Sequence, residues 1–317
     1  MKKALILIFI IIVLIISLVF SQRNTNESIS KEQSNTVVTT IYPLYYITNA
    51  IAGSYIDVKR LIKPGSDLHS FSPTPEDMVT LMNSNLLITL GESMEPWINR
   101  IVTATNMNTL TVTDQLDIIC LTAEHQHEVG DHHAHKPKSH NKGLDPHVWL
   151  NFENASRITE IISKKLSQLF PKYSSQFQAN ALALQLKFKK LHQLYKGSLK
   201  LCKKDTILVA HDAFAYMEKE YGLHTESIIG VFAHSRPNAS KIVKLRNIIK
   251  EKNLTYLFYD PLIFNKSASQ LAKDMNLTLL PLYTLGNISL DDEKRGEDMM
   301  TLINLNFAQL KKGLECP

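Results

Sequence analysis

From Asn154 to Leu201 the chain carries no strand signal; it is amphipathic, rich in Leu, Lys and Gln, and strongly interrupted only by Pro171. On both sides of this stretch, short apolar runs alternate with amphipathic ones, the pattern of parallel strands crossed by helices. That arrangement leaves few folds open. It predicts two similar α/β lobes with parallel sheets flanked by helices, joined by one long α-helix that spans both lobes and restrains their movement. With 317 residues, 44% of them hydrophobic, the chain is long enough for two cores.

The first lobe is expected over residues 37–152. Val37 to Ile41 reads as a strand, Leu44 to Ala52 as a helix stopped by Gly53, Tyr55 to Ile62 as a strand and Leu86 to Leu90 as another. Between the last two lie a loop containing His69 and a helix with a legible start: Thr74 as N-cap, Pro75 in the first position, then Glu76 and Asp77 at the positive end of the helix dipole. The connecting helix is expected over 153–203 and the second lobe over 204–317. In that lobe the strands read as Thr206 to Ala210, Ser227 to Phe232, Tyr256 to Tyr259 and Leu277 to Leu282. The helices read as one capped by Asp212 and ending at Gly222, then Ala239 to Lys252, Lys266 to Met275 and a closing helix from Asp291 onward.

Lys2 and Lys3 precede an apolar run from Ala4 that extends to Phe20, the form of a secretory signal over residues 1–21. The run approaches bilayer-spanning length, so the alternative is the same segment retained as an uncleaved membrane anchor. Both place the bulk of the chain outside the cytoplasm. Residues 22–36 are polar and patternless and are expected to form a disordered linker. Cys120, Cys202 and Cys316 are too few and too far apart for a Cys-x-x-Cys site; one bridge can form in an oxidising compartment, with the pair left open. The net charge of +5 comes from scattered lysines without interleaved aromatics, which argues against nucleic acid as a partner.

Three histidines stand in separate motifs at the carboxyl ends of expected elements: His69 after the second strand, His147 in Leu144-Asp-Pro-His-Val-Trp-Leu150, and His211 directly after the strand Thr206 to Ala210. Open α/β sheets bind ligands beyond the carboxyl ends of their strands, so His69 and His211 belong on facing rims. Asp145 is placed to orient a neighbouring imidazole, as carboxylates do beside metal-bound histidine. Ahead of His147 lies a tract from Glu124 to Lys142 that contains His125, His127, His132, His133, His135 and His140. It has too little apolar content to pack, and is expected to be a mobile loop that adds weak metal capture.

The segments Pro64-Gly-Ser-Asp-Leu-His-Ser-Phe-Ser-Pro73, Gly91-Glu-Ser-Met-Glu-Pro-Trp97, Asp145-Pro-His-Val-Trp-Leu150 and Ala210-His-Asp-Ala-Phe-Ala-Tyr216 resemble, in order and spacing, the signature blocks of the metal-binding solute receptors of ABC importers. The resemblance covers nearly the whole chain after the signal. It implies a metal held in the cleft between the lobes by His69, His147 and His211, a membrane permease with its cytoplasmic ATPase as partner, and a monomer. Zinc receptors of that family carry histidine at the third ligand position and manganese receptors a glutamate, so His211 and the histidine-rich tract imply the zinc branch, with Zn2+ as cargo. Imidazole also suits zinc on chemical grounds, whereas oxygen-rich sites favour manganese.

The fourth ligand stays open. Manganese receptors take an aspartate from a loop that falls here near Tyr283 to Asn287, where no carboxylate stands. Water, Glu124, Glu128, Asp131, Asp260 or His234 are the candidates, and Asp260 is equally readable as a structural acid in a strand-end turn. Competing functions are a manganese or iron receptor of the same family, a metal-binding adhesin, and a zinc hydrolase. The last lacks both a His-Glu-x-x-His helix and a carboxylate paired with a ligand as general base, so the chain is not expected to be an enzyme.

Overall fold

The computed structural model describes residues 35–120, 143–231, 239–263 and 266–317. Strands β1 (Thr36–Thr39), β2 (Asp57–Arg60), β3 (Leu86–Thr89) and β4 (Thr109–Thr111) form a parallel sheet in the order β2-β1-β3-β4. Strands β5 (Thr206–His211), β6 (His224–Ile229), β7 (Tyr256–Tyr259) and β8 (Thr278–Pro281) repeat that order, β6-β5-β7-β8, also in parallel. The architecture is therefore duplicated strand for strand. The inner strands β1, β3 and β5 are buried along their length, as expected of apolar runs covered by helices on both faces.

In the first lobe, α1 (Tyr42–Ala52), α2 (Pro75–Met82) and α3 (Ile98–Thr105) surround the sheet. The start of α2 is as read from sequence: the Thr74 hydroxyl accepts from the Asp77 amide, and the Asp77 carboxylate accepts from the Thr74 amide at 2.8 Å, closing a capping box. The segment after β3 turns around the buried Glu95, whose carboxylate accepts from Thr40, from the Thr89 hydroxyl at 2.8 Å and from the Gly91 amide at 2.7 Å. Burial pushes that carboxyl above its ordinary range, and these donors pull it back.

The connection between the lobes differs from the single span expected over 153–203. It consists of α4 (Phe152–Leu169), a short 3-10 turn at Pro171–Tyr173, and α5 (Ser174–Leu199). The break follows from Pro171, which has no amide hydrogen to continue the helix and pushes Phe170 out of helical backbone, to φ −128 and ψ 68. The two helices fold back on each other, with the Gln185 side chain donating to the Ser156 carbonyl at 3.3 Å. The helix that joins the lobes is α5. Asn180 in its first half donates to the Ile51 carbonyl of the first lobe at 3.0 Å, and Tyr195 near its end donates to the Ile303 carbonyl of the second at 2.8 Å.

The second lobe is completed by α6 (Ala215–Tyr221), α7 (Ala239–Glu251), α8 (Lys266–Asp274), α9 (Leu290–Lys294) and α10 (Met299–Gly313). Two expectations are corrected here. The helix after β5 begins at Ala215 with Phe214 in the capping position and no side-chain cap, so Asp212 does not cap it. The closing helix from Asp291 is two helices, each with its own cap, Ser289 and Asp298. No helix among the described residues is long and apolar enough to cross a membrane.

One apolar core runs through both lobes, taking in Ile41, Ile88, Trp149, Phe188, Leu285 and Ile303. Each large side chain buried there stabilises the chain by about 1.5–3 kcal/mol. The lobes thus share a core as well as a connector.

Cys202 and Cys316 are joined by a disulfide, while Cys120 is exposed and free. The bridge closes a loop of 114 positions, tying the end of the chain to the entry of the second lobe. The double variant Cys202→Ser/Cys316→Ser is expected to lose about 2–5 kcal/mol, the usual range for a native bridge over a long loop. Urea unfolding of the two proteins checks this; coincident midpoints would show that the bridge adds nothing.

Candidate metal centre

His69, His147 and His211 come together where the carboxyl ends of the two sheets face each other, each offering one ring nitrogen within 4.8 Å of the other two. The ring centroids lie 5.3 to 5.9 Å apart. His147 and His211 are buried; His69 is half buried, yet its Nε2 is shielded from solvent.

Each ring is aimed by its own surroundings. His211 ends the buried strand β5, and its Nδ1 lies 3.0 Å from the Gly230 carbonyl oxygen. His147 opens a short 3-10 turn at Val148–Leu150, with both its amide and its Nδ1 on Asp145 Oδ1, at 2.9 and 2.8 Å. The carbonyl and the carboxylate accept, so each Nδ1 carries a hydrogen, and in the neutral ring each Nε2 is left with the lone pair. Those two Nε2 atoms stand 3.4 Å apart. With no hydrogen between neutral rings they cannot bond to each other. Nitrogens about 2.0–2.1 Å from a tetrahedral zinc ion are separated by about 3.3–3.4 Å, so the spacing matches one edge of such a site.

His69 is carried by a loop that both lobes shape. Asp67 accepts from the His69 amide at 2.9 Å and from the Ser70 hydroxyl at 3.1 Å. From the second lobe, the Asn287 side chain donates to the carbonyls of Lys63 and Ser66, at 2.9 and 2.7 Å, while the Ile288 carbonyl accepts from the Gly65 amide at 2.8 Å. Gly286 leaves room for this loop: a Cβ there would stand 2.5 Å from the Leu68 side chain and 3.3 Å from Trp149, and Leu68 would have to shift. The segment Tyr283 to Asn287 therefore supports the His69 loop. Its role could not be read from sequence, because backbone carbonyls leave no residue signature.

Asp260 is not brought into the histidine group. One of its oxygens accepts from the Leu262 amide at 2.8 Å, and the other from the amide and hydroxyl of Thr284 at 2.8 and 2.5 Å. Burial pushes its carboxyl up and those donors counter it. Its work is to hold Thr284, whose carbonyl accepts from the Trp149 indole at 2.7 Å across the lobes. Glu124, Glu128, Asp131, His234 and the histidines of the tract, His125 to His140, lie outside the described residues.

A second group of metal-ligand types, Glu153, His192 and Glu220, gathers where α4, α5 and α6 meet. Lys196 already neutralises Glu220 at 3.0 Å, and the adjoining groove is lined by Arg157, Lys189 and Lys200. These cationic side chains compete with a metal ion for the two carboxylates.

The chain matches, over residues 37–313, the family described as zinc-uptake complex component A, periplasmic. The zinc-binding protein AdcA of Streptococcus pyogenes serotype M3 is 29% identical over 98% of this chain and 61% of its own length. This chain thus spans about three fifths of that relative. The high-affinity zinc uptake system protein ZnuA of Bacillus subtilis is 28% identical over 90% of this chain and 89% of its own. Among solved structures, the Zn(II)-bound ZnuA-like domain of Streptococcus pneumoniae AdcA shares the fold at a TM-score of 0.73 and 24% identity, over 89% of this chain and 99% of that one. The laminin-binding protein Lmb of Streptococcus agalactiae, described as a bifunctional protein with adhesin and metal-transporting activity, shares it at 0.75 and 23%, over 88% and 99%.

His211 is held well below its ordinary pKa, because burial disfavours the imidazolium and His147 and His69 add repulsion; the Gly230 carbonyl opposes this. The unfolded chain takes up this proton near pH 6.5, and the folded chain only at lower pH. The contribution to stability is therefore fully present above about pH 6.5 and is lost as the pH falls below it. Metal-free protein is expected to melt progressively earlier from about pH 7 down to 5, and His211→Gln to flatten part of that decline. Equal slopes in thermal melts of the two proteins would remove His211 as the cause.

Proposed function

The chain belongs to the zinc-uptake complex component A family, and we propose that it is an exported receptor that captures Zn2+ between its lobes and delivers it to an ABC-type import permease driven by a cytoplasmic ATPase. The observation that carries this reading is the pair of Nε2 atoms facing each other at 3.4 Å, with each Nδ1 turned to its own acceptor, Asp145 or Gly230. His69 adds the third nitrogen. Three imidazoles suit zinc, and a water or a residue of the histidine-rich tract completes the tetrahedron.

The remaining parts of the proposal fit the same reading. Residues 1–21 direct export, in keeping with a family described as periplasmic. The tract containing His125 to His140 supplies weak, reversible binding next to the tight site. The family is one of zinc-uptake components rather than hydrolases, and the ion is cargo.

Competition between zinc and manganese for the mature chain is the deciding test. Zinc is expected to win and to saturate one tight site; His211→Ala should abolish that site, whereas deletion of residues 126–140 should leave it and remove only weak extra binding. Preference for manganese, or a tight site that survives His211→Ala and vanishes with the deletion, would overturn the assignment.

Because α5 is fixed to both lobes and the lobes share a core, capture is expected to order the site locally without a wide closure. Solution scattering should give the same radius of gyration with and without zinc, while hydrogen exchange slows around His69 and His211. A large contraction on zinc binding would refute the rigid connection.

A further inference from the structure

Tyr216 lies in α6 of the second lobe, five positions after His211, and is buried. Its side chain crosses to the first lobe. The hydroxyl donates to the Asp145 carbonyl at 2.9 Å and accepts from the Ile119 amide at 3.1 Å. Ile119 and Asp145 are also bonded directly, the Asp145 amide donating to the Ile119 carbonyl at 2.9 Å, and the next pair inward, Cys120 and Leu144, forms an antiparallel bridge. One phenol oxygen thus joins two backbone segments that are distant in sequence, at the residue that holds His147.

Asp145 has little else to position it. It is fully buried, Oδ1 takes both the amide and the Nδ1 of His147, and Oδ2 has no hydrogen-bond partner among the described residues. The direction of its carboxylate, and with it the direction of the His147 ring, follows from where its backbone is held. The backbone is held by Ile119 on one side and by Tyr216 on the other.

We infer that Tyr216 is a positioning residue for metal binding: through the Asp145 carbonyl it lets the second lobe set the orientation of His147, a ligand carried by the first. The inference rests on the three-histidine reading of the site. It makes the two buried ligands interdependent, since the chain segment that supplies His211 also aims His147. Removing the hydroxyl leaves the Ile119 amide and the Asp145 carbonyl each short of a partner and frees Asp145 to drift, while the aromatic ring still fills its place.

The test uses the full mature chain with zinc alone as the probe. Tyr216→Phe is expected to bind zinc about tenfold more weakly, the lower end of the range for partners behind a metal ligand, with the loss appearing mainly as faster release. Nitrogen-15 spectra of the histidine rings in the metal-free protein should show the Nδ1 signal of His147 shifting as its hydrogen bond to Asp145 loosens, a change that a merely structural role would not produce. In an Asp145→Ala background the same substitution should have little further effect. In wild-type protein, where no variant need fold, zinc should shift the Ile119 amide resonance, whose acceptor is the Tyr216 oxygen. Wild-type affinity in Tyr216→Phe, an unchanged His147 ring spectrum, an undiminished effect in Asp145→Ala, or an Ile119 amide that zinc leaves in place would each overturn the inference. His147→Ala separates the two levels. Intact tight binding in that variant would overturn the three-histidine reading and this inference with it, whereas loss of binding there beside wild-type affinity in Tyr216→Phe overturns this inference alone.

Discussion

A neutral imidazole has one ring hydrogen, and where that hydrogen sits decides whether the ring offers a lone pair or a donor. At His147 and His211 it is fixed by acceptors that have no alternative role, a carboxylate and a backbone carbonyl. The two Nε2 atoms are thereby turned toward each other inside a site that excludes solvent from both residues. Burial, with the two neighbouring histidines, disfavours a proton on His211. The remainder of the fold can be understood as what is needed to hold these nitrogens in place against their repulsion.

Holding them takes both lobes. The duplicated sheets put carboxyl-terminal strand ends opposite each other, but the sheets alone would leave the gap between them adjustable. Adjustment is prevented by bonds that each end on backbone: Trp149 on the Thr284 carbonyl, Asn287 on the carbonyls of Lys63 and Ser66, and Tyr216 on Asp145. Asp260 acts one layer further out, by fixing Thr284. Bonds to backbone tolerate little drift, because the main chain cannot rotate away as a side chain can.

The three histidines were legible in sequence because each follows a strongly patterned strand or sits in a rigid Asp-Pro-His turn, and the α2 cap because Thr74-Pro-Glu-Asp states its chemistry locally. What was not legible is tertiary. The Leu, Lys and Gln pattern around Pro171 reads as one helix because a hairpin of two helices has the same periodicity, and only the packing of α4 on α5 tells them apart. Helix α3 and the short polar strand β4 gave no signal, since Thr109–Thr111 alternates over too few residues. Asp260 resembled a ligand because an acid before proline looks alike whether it meets a metal or a pair of amides. The pairing of Cys202 with Cys316 needed the end of the chain to be placed.

His69, His147 and His211 come from three segments, and the last belongs to a lobe closed by the Cys202–Cys316 bridge. A chain made amino end first presents His69 and His147 early, but the groups that aim them, Asn287 and Tyr216, arrive only with the second lobe. Until the second lobe has folded, His69 and His147 lack the contacts that aim them.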